Sequence, residues 1–512
     1  MQRPPPPGNS LASAGYSETI PYVTAGRTEK LSMLSLIRSI GVEPTCNAAV
    51  LVLAVVLGAF LRFSDLSMSE MSADEGASWA AASAPSISKV LEIQPRLNPG
   101  KFAAHELVLH GWNRLFGDSL TAMRSLSALA GTLGVIATFI LTQELLALKQ
   151  VVPNGPRENV AQARPGAPSS RLAGAIAALL FAVNLVFIKY AQEARMYSVA
   201  LLFGLIQIAS FLRSTHRPSP AALLITSVFT SLAIACTFTM LLILVPEALW
   251  LAHVARAWRR VIYGRVALAG LALMSGLVWL IPLAVAYLHE RAQAPALIAY
   301  AWASEPPIWA PISMFNKAVG SIAFPVVLVL ALWGTVQTWR VEHAAAVFAL
   351  LLMLAPPIVV LSASYLLRPA FVERYMLASF VPFFVLVAFG ISSMRAFRTR
   401  LCLTTMVTML ALGHVYSYRR QAHDVQWREA AHAAARTNGS SIMVAPPYAA
   451  DVVRYYLRDS PGRRAIASGY ERSATAAIVA ESGVSPAEAA RIAATFPRLL
   501  MSLRGVIVRG QW

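Results

Sequence analysis

Asp74 and Glu75 stand side by side in the stretch Met71-Ser72-Ala73-Asp74-Glu75-Gly76-Ala77-Ser78-Trp79, a dozen or so residues beyond an apolar run that starts near Asn47 and continues through Leu61. Two adjacent carboxylates this close to a bilayer face suit a general base that takes a proton from a hydroxyl or amine nucleophile. A second cluster, Tyr190-Ala191-Gln192-Glu193-Ala194-Arg195-Met196-Tyr197, lies between two apolar runs. Ionisable residues at membrane depth are costly and are usually paired or functional. Glu193 and Arg195 are two apart, so on a helix they point different ways and need other partners. Arg195 suits a lipid phosphate, and Glu193 a substrate or a metal. In Arg368-Pro369-Ala370-Phe371-Val372-Glu373-Arg374-Tyr375, two guanidinium groups offer the planar, bidentate donors that phosphate or pyrophosphate takes. Lys101 adds a cation for a departing phosphate and precedes His105 and His110. Plainer readings exist for each: acids that face water, a snorkelling arginine at a helix end, an interfacial arginine pair, ordinary hydrogen-bonded histidines. Taken together, carboxylates and arginines converging on one membrane face describe transfer from a phosphate-activated lipid donor.

These groups must be positioned by helices in a membrane. The chain has 512 residues, 57% of them hydrophobic and only 13% charged, where a soluble protein carries about a quarter charged residues; its mean hydropathy is +0.57. Apolar length predicts spans at 44–62, 120–147, 171–190, 197–213, 221–236, 239–255, 263–288, 318–339, 344–367, 376–394 and 401–416. The segment Phe102–Phe116 is about fifteen residues long, short of the ~17–25 that a crossing needs, and reads as a half-membrane or interfacial helix. The arginines and lysines between spans set orientation. With a basic leader inside, Asp74, Glu75, the Gln192–Tyr197 turn, the loop 289–316 and Arg368–Tyr375 all face outward. The fold expected is an all-α polytopic membrane protein with about eleven (10–13) transmembrane helices.

Residues 1–43, opening on Met1-Gln2-Arg3-Pro4-Pro5-Pro6-Pro7-Gly8, read as a disordered, basic cytoplasmic leader. Residues 44–416 form the transmembrane domain, with a first outer loop at 63–104. From 417 to 512 the composition is that of a small soluble domain. Val425–Arg436 and Ala449–Arg458 read as helices with a strand at Ser441–Ala445 between them. Ser485-Pro486-Ala487-Glu488 opens a further helix to about Thr495. The topology places this small α/β cap on the extracytoplasmic side. A net charge of +18 would suggest nucleic acid in a soluble chain. Here the cations sit in short loops and the tail, so no nucleic-acid partner is expected. Cys46, Cys236 and Cys402 stand singly without metal spacing, which excludes a disulfide framework and a cysteine metal cluster.

The sequence resembles the bacterial membrane-embedded GT-C glycosyltransferases, related to protein O-mannosyltransferases and aminoarabinose transferase (glycosyltransferase family 39-like). Carrying the likeness, in order, are Leu61-Arg62-Phe63, the Asp74-Glu75 pair, His110–Asp118, Arg124–Leu129, the Gln-Glu-Ala-Arg-Met-Tyr core of 192–197, Arg368–Tyr375, Trp427–Ala431, Pro446-Pro447-Tyr448 and Arg454–Leu457. They span most of residues 44–460. One departure is that Lys101-Phe102-Ala103-Ala104 stands where many members have His-Pro-Pro-Leu or Lys-Pro-Pro-Leu.

The resemblance implies a polyprenyl-phosphate sugar as donor, transfer with inversion on the outer membrane face, and Asp74 as base with Glu75 as neighbour or substitute. Lys101, Arg195, Arg368 and Arg374 are the candidate contacts to the donor phosphate, and His105, Glu193, Tyr197 and Tyr375 those to the substrate. The acceptor is a lipid, glycan or protein, and the setting a bacterial inner membrane with the active site facing the periplasm or exterior. No organic cofactor is expected, and a divalent metal stays open. A lipid or glycolipid transporter or flippase would favour internal repeats, which the sequence lacks. A non-catalytic assembly protein would tolerate loss of Asp74.

Overall fold

A computed structural model describes residues 46–98, 101–148, 170–257, 263–293, 305–367, 369–421, 425–437, 441–460, 465–468, 474–481 and 484–510. The expected leader and Arg368 lie outside these residues. Among the described residues, seven helices are long and apolar enough to cross a membrane: Leu120–Leu146, Tyr197–His216, Gly264–His289, Phe324–Val341, His343–Leu366, Glu373–Ser392 and Phe397–Arg420. An eighth crossing is made if the bent pair Ser170–Val183 and Leu185–Ala191 is one span. Three stretches expected as full spans are the shorter apolar helices Asn47–Phe63, Pro220–Cys236 and Phe238–Val254. The expected count of about eleven holds only if these three also cross. Their length is at the lower limit of what a ~30 Å hydrocarbon core requires. Phe102–Phe116 contributes the 13-residue helix Ala104–Phe116.

The bent pair has an identifiable cause. Asn184 ends one helix and caps the next, its side-chain oxygen accepting from the Val186 amide at 3.0 Å. Its Nδ2 donates to the Ala318 carbonyl at 2.8 Å, and the two helix axes differ by 58°. A break strands carbonyls that no water can reach in a bilayer. Arg62 meets them: its Nη1 donates to Ala182 O at 2.8 Å and to Gly58 O at 3.0 Å, and its Nη2 to Phe181 O at 3.1 Å. Arg62 is fully buried. The segment that carries Glu193 and Arg195 begins directly after the second helix of the pair, Leu185–Ala191. Gln192 fastens it to the end of the first helix, donating to Leu61 O at 3.1 Å and Ser64 O at 2.8 Å.

The tail forms a small α/β layer. Strands β1 (Ser441–Ala445), β2 (Ala465–Ser468), β3 (Ala476–Ala480), β4 (Arg498–Leu503) and β5 (Val506–Gly510) make one sheet in the order β2-β1-β3-β5-β4. The pairs β1–β2 and β1–β3 are parallel, while β3–β5 and β4–β5 are antiparallel. Helices Trp427–Ala435, Ala450–Leu457 and Pro486–Thr495 complete the layer, close to the sequence expectation for all three. Ser485 caps the last by accepting from the Glu488 amide.

This cap seats on the helix Ala73–Ala82 of the first loop. The Met71 amide donates to the Tyr456 hydroxyl at 2.8 Å, the Arg428 amide to Glu70 at 2.8 Å, and the Trp79 and Tyr455 rings meet edge to face at 5.4 Å. At Gly76 the two backbones touch. An added Cβ would stand 2.7 Å from Val452 Cγ2 and 2.8 Å from the Val452 amide nitrogen. Gly76→Ala is therefore expected to destabilise the protein by ~1–3 kcal/mol through overpacking against backbone that cannot yield. Thermal unfolding and protease sensitivity of the cap measure it, and unchanged values in both would mean the seat is loose.

Candidate active site

The helix Ala73–Ala82 opens with a capping box. The Glu75 amide donates to Ser72 Oγ at 3.2 Å, and Glu75 Oε2 accepts from the Ser72 amide at 2.9 Å. That reciprocal pair turns Glu75 inward. Arg124 then takes both of its oxygens, Nε to Oε1 at 2.8 Å and Nη2 to Oε2 at 2.8 Å, and the Ala194 amide donates to Oε1 at 2.8 Å. Arg124 also holds the loop through Leu66 O, Ser69 O, Ser69 Oγ and Glu70 O. Burial opposes ionisation of Glu75, yet Arg124 and these amides hold its carboxyl below the usual range. Both oxygens of Glu75 are thus taken up by hydrogen bonds from Arg124, Ser72 and Ala194.

Asp74 is one residue back and faces another way, with its side chain 46% exposed. Its Oδ2 is 3.3 Å from Arg374 Nη1, and its main-chain carbonyl accepts from Arg195 Nη1 at 2.7 Å. Arg195 is the largest influence on its carboxyl, which, against the cost of burial and with help from Arg374 and Lys101, lies below the ordinary carboxylate range. Tyr197 completes the group: the guanidinium carbons of Arg195 and Arg374 stand 5.9 and 5.8 Å from its ring centre. Arg374 also lies 5.9 Å from the Tyr375 ring centre.

Glu193 lies in the same turn, partly buried. Burial, then the charges of Glu75 and Asp74, raise its carboxyl to about 7. A carboxyl raised on folding contributes stability that is whole below its ordinary pKa of about 4.5 and lost as pH climbs through about 7. Glu193→Gln is expected to gain on wild type by a few degrees in thermal unfolding as pH rises across that window, and to gain nothing below it. A difference independent of pH would show that Glu193 does not titrate there.

Lys101 and His105 are both fully buried and both turn to Glu106, Lys101 Nζ in a short ion pair with Oε1 and His105 Nδ1 at 3.1 Å from the same oxygen. Ser78 and Glu106 were not singled out by sequence reasoning, although Ser78 lies one helical turn beyond Asp74, the i,i+4 spacing that puts two residues on one face. Among the described residues, no group of three or more His, Cys, Asp or Glu is placed to hold a metal ion.

Comparison with known proteins agrees with this architecture. The family described as Protein O-mannosyl-transferase TMEM260 N-terminal domain matches residues 112–261. No curated protein matches the sequence. Among solved structures, ArnT from Cupriavidus metallidurans in the apo state is similar with a TM-score of 0.60 at 13% identity, covering 91% of this chain and 99% of that one. The same protein bound to undecaprenyl phosphate gives 0.57 at 12% identity, with 91% and 99% covered. The apo oligosaccharyltransferase of Archaeoglobus fulgidus gives 0.56 at 8% identity, covering 85% of this chain and 69% of that one. Identities this low speak to architecture: the chain is a multi-pass membrane protein with the fold of the GT-C glycosyltransferases.

Proposed function

We propose, with the GT-C fold as premise, that this protein is a glycosyltransferase that moves a sugar from a polyprenyl-phosphate donor to a lipid, glycan or protein acceptor on the extracytoplasmic face of a bacterial inner membrane. The observation that carries the reading is Asp74, a half-exposed carboxylate paired with Arg374 whose main-chain carbonyl is held by Arg195, beside Glu75, whose oxygens are fully engaged. In the reaction, the acceptor's hydroxyl or amine attacks the anomeric carbon while Asp74 takes its proton. The bond from that carbon to the phosphate oxygen breaks on the opposite face, and its electron pair leaves with the lipid phosphate. Arg195 and Arg374 stabilise the charge that develops there. Such a phosphate competes with Asp74 for Arg374, so donor binding frees the carboxylate as it is needed. Tyr197 and Tyr375 flank the donor sugar beside Arg374. The carboxylates of Asp74 and Glu193 are the groups available should a divalent cation take part.

The test is turnover of radiolabelled polyprenyl-phosphate sugars by purified protein in detergent or proteoliposomes, wild type against Arg195→Ala. The expected result is transfer by wild type and a loss of about a hundredfold or more in the variant, the scale on which removal of one such stabilising donor acts. No turnover by wild type over a panel of hexose and pentose donors would overturn the proposal.

A further inference from the structure

The glycosyl-transfer reading leaves the buried side chains of Ser78, Glu106 and Lys101 unused, and they form one chain that ends on Arg195. Arg195 Nη1, besides meeting the Asp74 carbonyl, donates to Ser78 Oγ at 3.0 Å. Ser78 Oγ donates to Glu106 Oε1 at 3.1 Å, and the same Oε1 pairs with Lys101 Nζ. Lys101 Nζ also lies 3.6 Å from Met196 Sδ, next in sequence to Arg195. Ser78, Glu106, Lys101 and Arg195 are all more than nine-tenths buried. Lys101 and His105 hold the Glu106 carboxyl below its usual range in spite of the burial that opposes ionisation.

We propose that Lys101 and Glu106 are positioning residues: Lys101 serves as the buried counter-cation of Glu106, and the Lys101–Glu106–Ser78 chain holds the Arg195 guanidinium over the Asp74 peptide. The alternative is the role expected from sequence, direct contact of Lys101 with the donor phosphate. The two differ in what removal of Glu106 does. Breaking a buried pair by deleting one partner leaves an uncompensated charge, whereas deleting both is far milder. With Lys101 gone, Glu106 keeps only Ser78 and His105 as partners and draws Arg195 away from Asp74. With both charges gone, Arg195 keeps Ser78 and the Asp74 carbonyl as its partners.

The inference rests on the proposed function for its kinetic arm, so the experiment carries a second readout that needs no turnover. Lys101→Met, Glu106→Gln and the double variant are compared with wild type. Turnover of labelled donor is measured, together with the pH midpoint of carbodiimide modification at Asp74, which reports the Arg195 guanidinium first and the direct charge of Lys101 after it; Ser78→Ala, which keeps both charges, separates the two. Lys101→Met is expected to lose activity on the order of a hundredfold and to raise the Asp74 midpoint. The double variant should recover at least tenfold of that loss and return the midpoint towards wild type, since contacting residues in one network couple strongly. A double variant as inactive as Lys101→Met, with an Asp74 midpoint unchanged in all three, would overturn the positioning role while leaving the transferase reading intact. Absence of wild-type turnover would remove that reading alone. The midpoints then decide the positioning role, a shift in Lys101→Met reversed in the double variant supporting it and unchanged midpoints rejecting it. Ser78→Ala, which changes no charge, should raise the Asp74 midpoint in the same direction.

Discussion

Asp74→Asn is expected to lower turnover of a polyprenyl-phosphate sugar by ~10²–10⁴-fold, the range that a positioned general base supplies. The protein should stay folded. Asp74 is half exposed and its ion pair with Arg374 is open to solvent, and such pairs contribute about 0–1 kcal/mol. Activity and stability are therefore predicted to separate at this residue, which measurements of turnover and thermal unfolding on the same preparation will read. Arg195 and Arg374 hold the carboxyl below its ordinary range, so any acid limb that Asp74 gives the wild-type rate in the free enzyme should lie below the ordinary carboxylate range. Full activity in Asp74→Asn would take Asp74 out of the mechanism and direct attention to Glu193.

The neighbouring acid should behave in the opposite way. Glu75→Ala or Arg124→Met is expected to destabilise the protein by ~3–5 kcal/mol, because each leaves the other charge buried without its partner. Arg124 gathers Leu66, Ser69 and Glu70 as well as Glu75, so the whole first loop loses its anchor and activity falls with the fold. Thermal unfolding in detergent is the measurement. A variant that unfolds like wild type and yet turns nothing over would mean that Glu75 takes part in the chemistry after all.

From the sequence, Asp74 and Glu75 look interchangeable, and what separates them is local. Ser72 and Glu75 stand at the spacing of a capping box, and the third residue of such a box must reach back to the cap. That signal was present in Ser72-Ala73-Asp74-Glu75 and was applied only to Ser485–Glu488, where one of the two bonds forms. Arg195 and Arg374 were legible as cations at an outer helix end, and both reach Asp74. The pairing of Lys101 with Glu106 was not legible, because Lys101 lies in the loop before the helix Ala104–Phe116 and no spacing rule links a loop lysine to a helical acid. In the tail, the helices and β1 carried readable signals. Strand β3 is Ala-Ala-Ile-Val-Ala, and alanine favours helix over strand, so only its neighbours in the sheet decide its conformation. The helix break was hidden for a related reason. Asn184 sits within an unbroken apolar run, and hydropathy does not report a change of axis.

The contacts of Arg62 also set a constraint on biogenesis. Its carbonyl partners Phe181 and Ala182 come 119 and 120 residues later in the chain. When the first apolar helix leaves the ribosome, none of that shelter has been made, and the guanidinium can stay solvated only by reaching up to the headgroups. That helix must therefore enter the bilayer provisionally and sink to its final depth once the broken pair has arrived beside it. Assembly of the face that carries the Asp74 loop waits on a segment synthesised more than a hundred residues downstream.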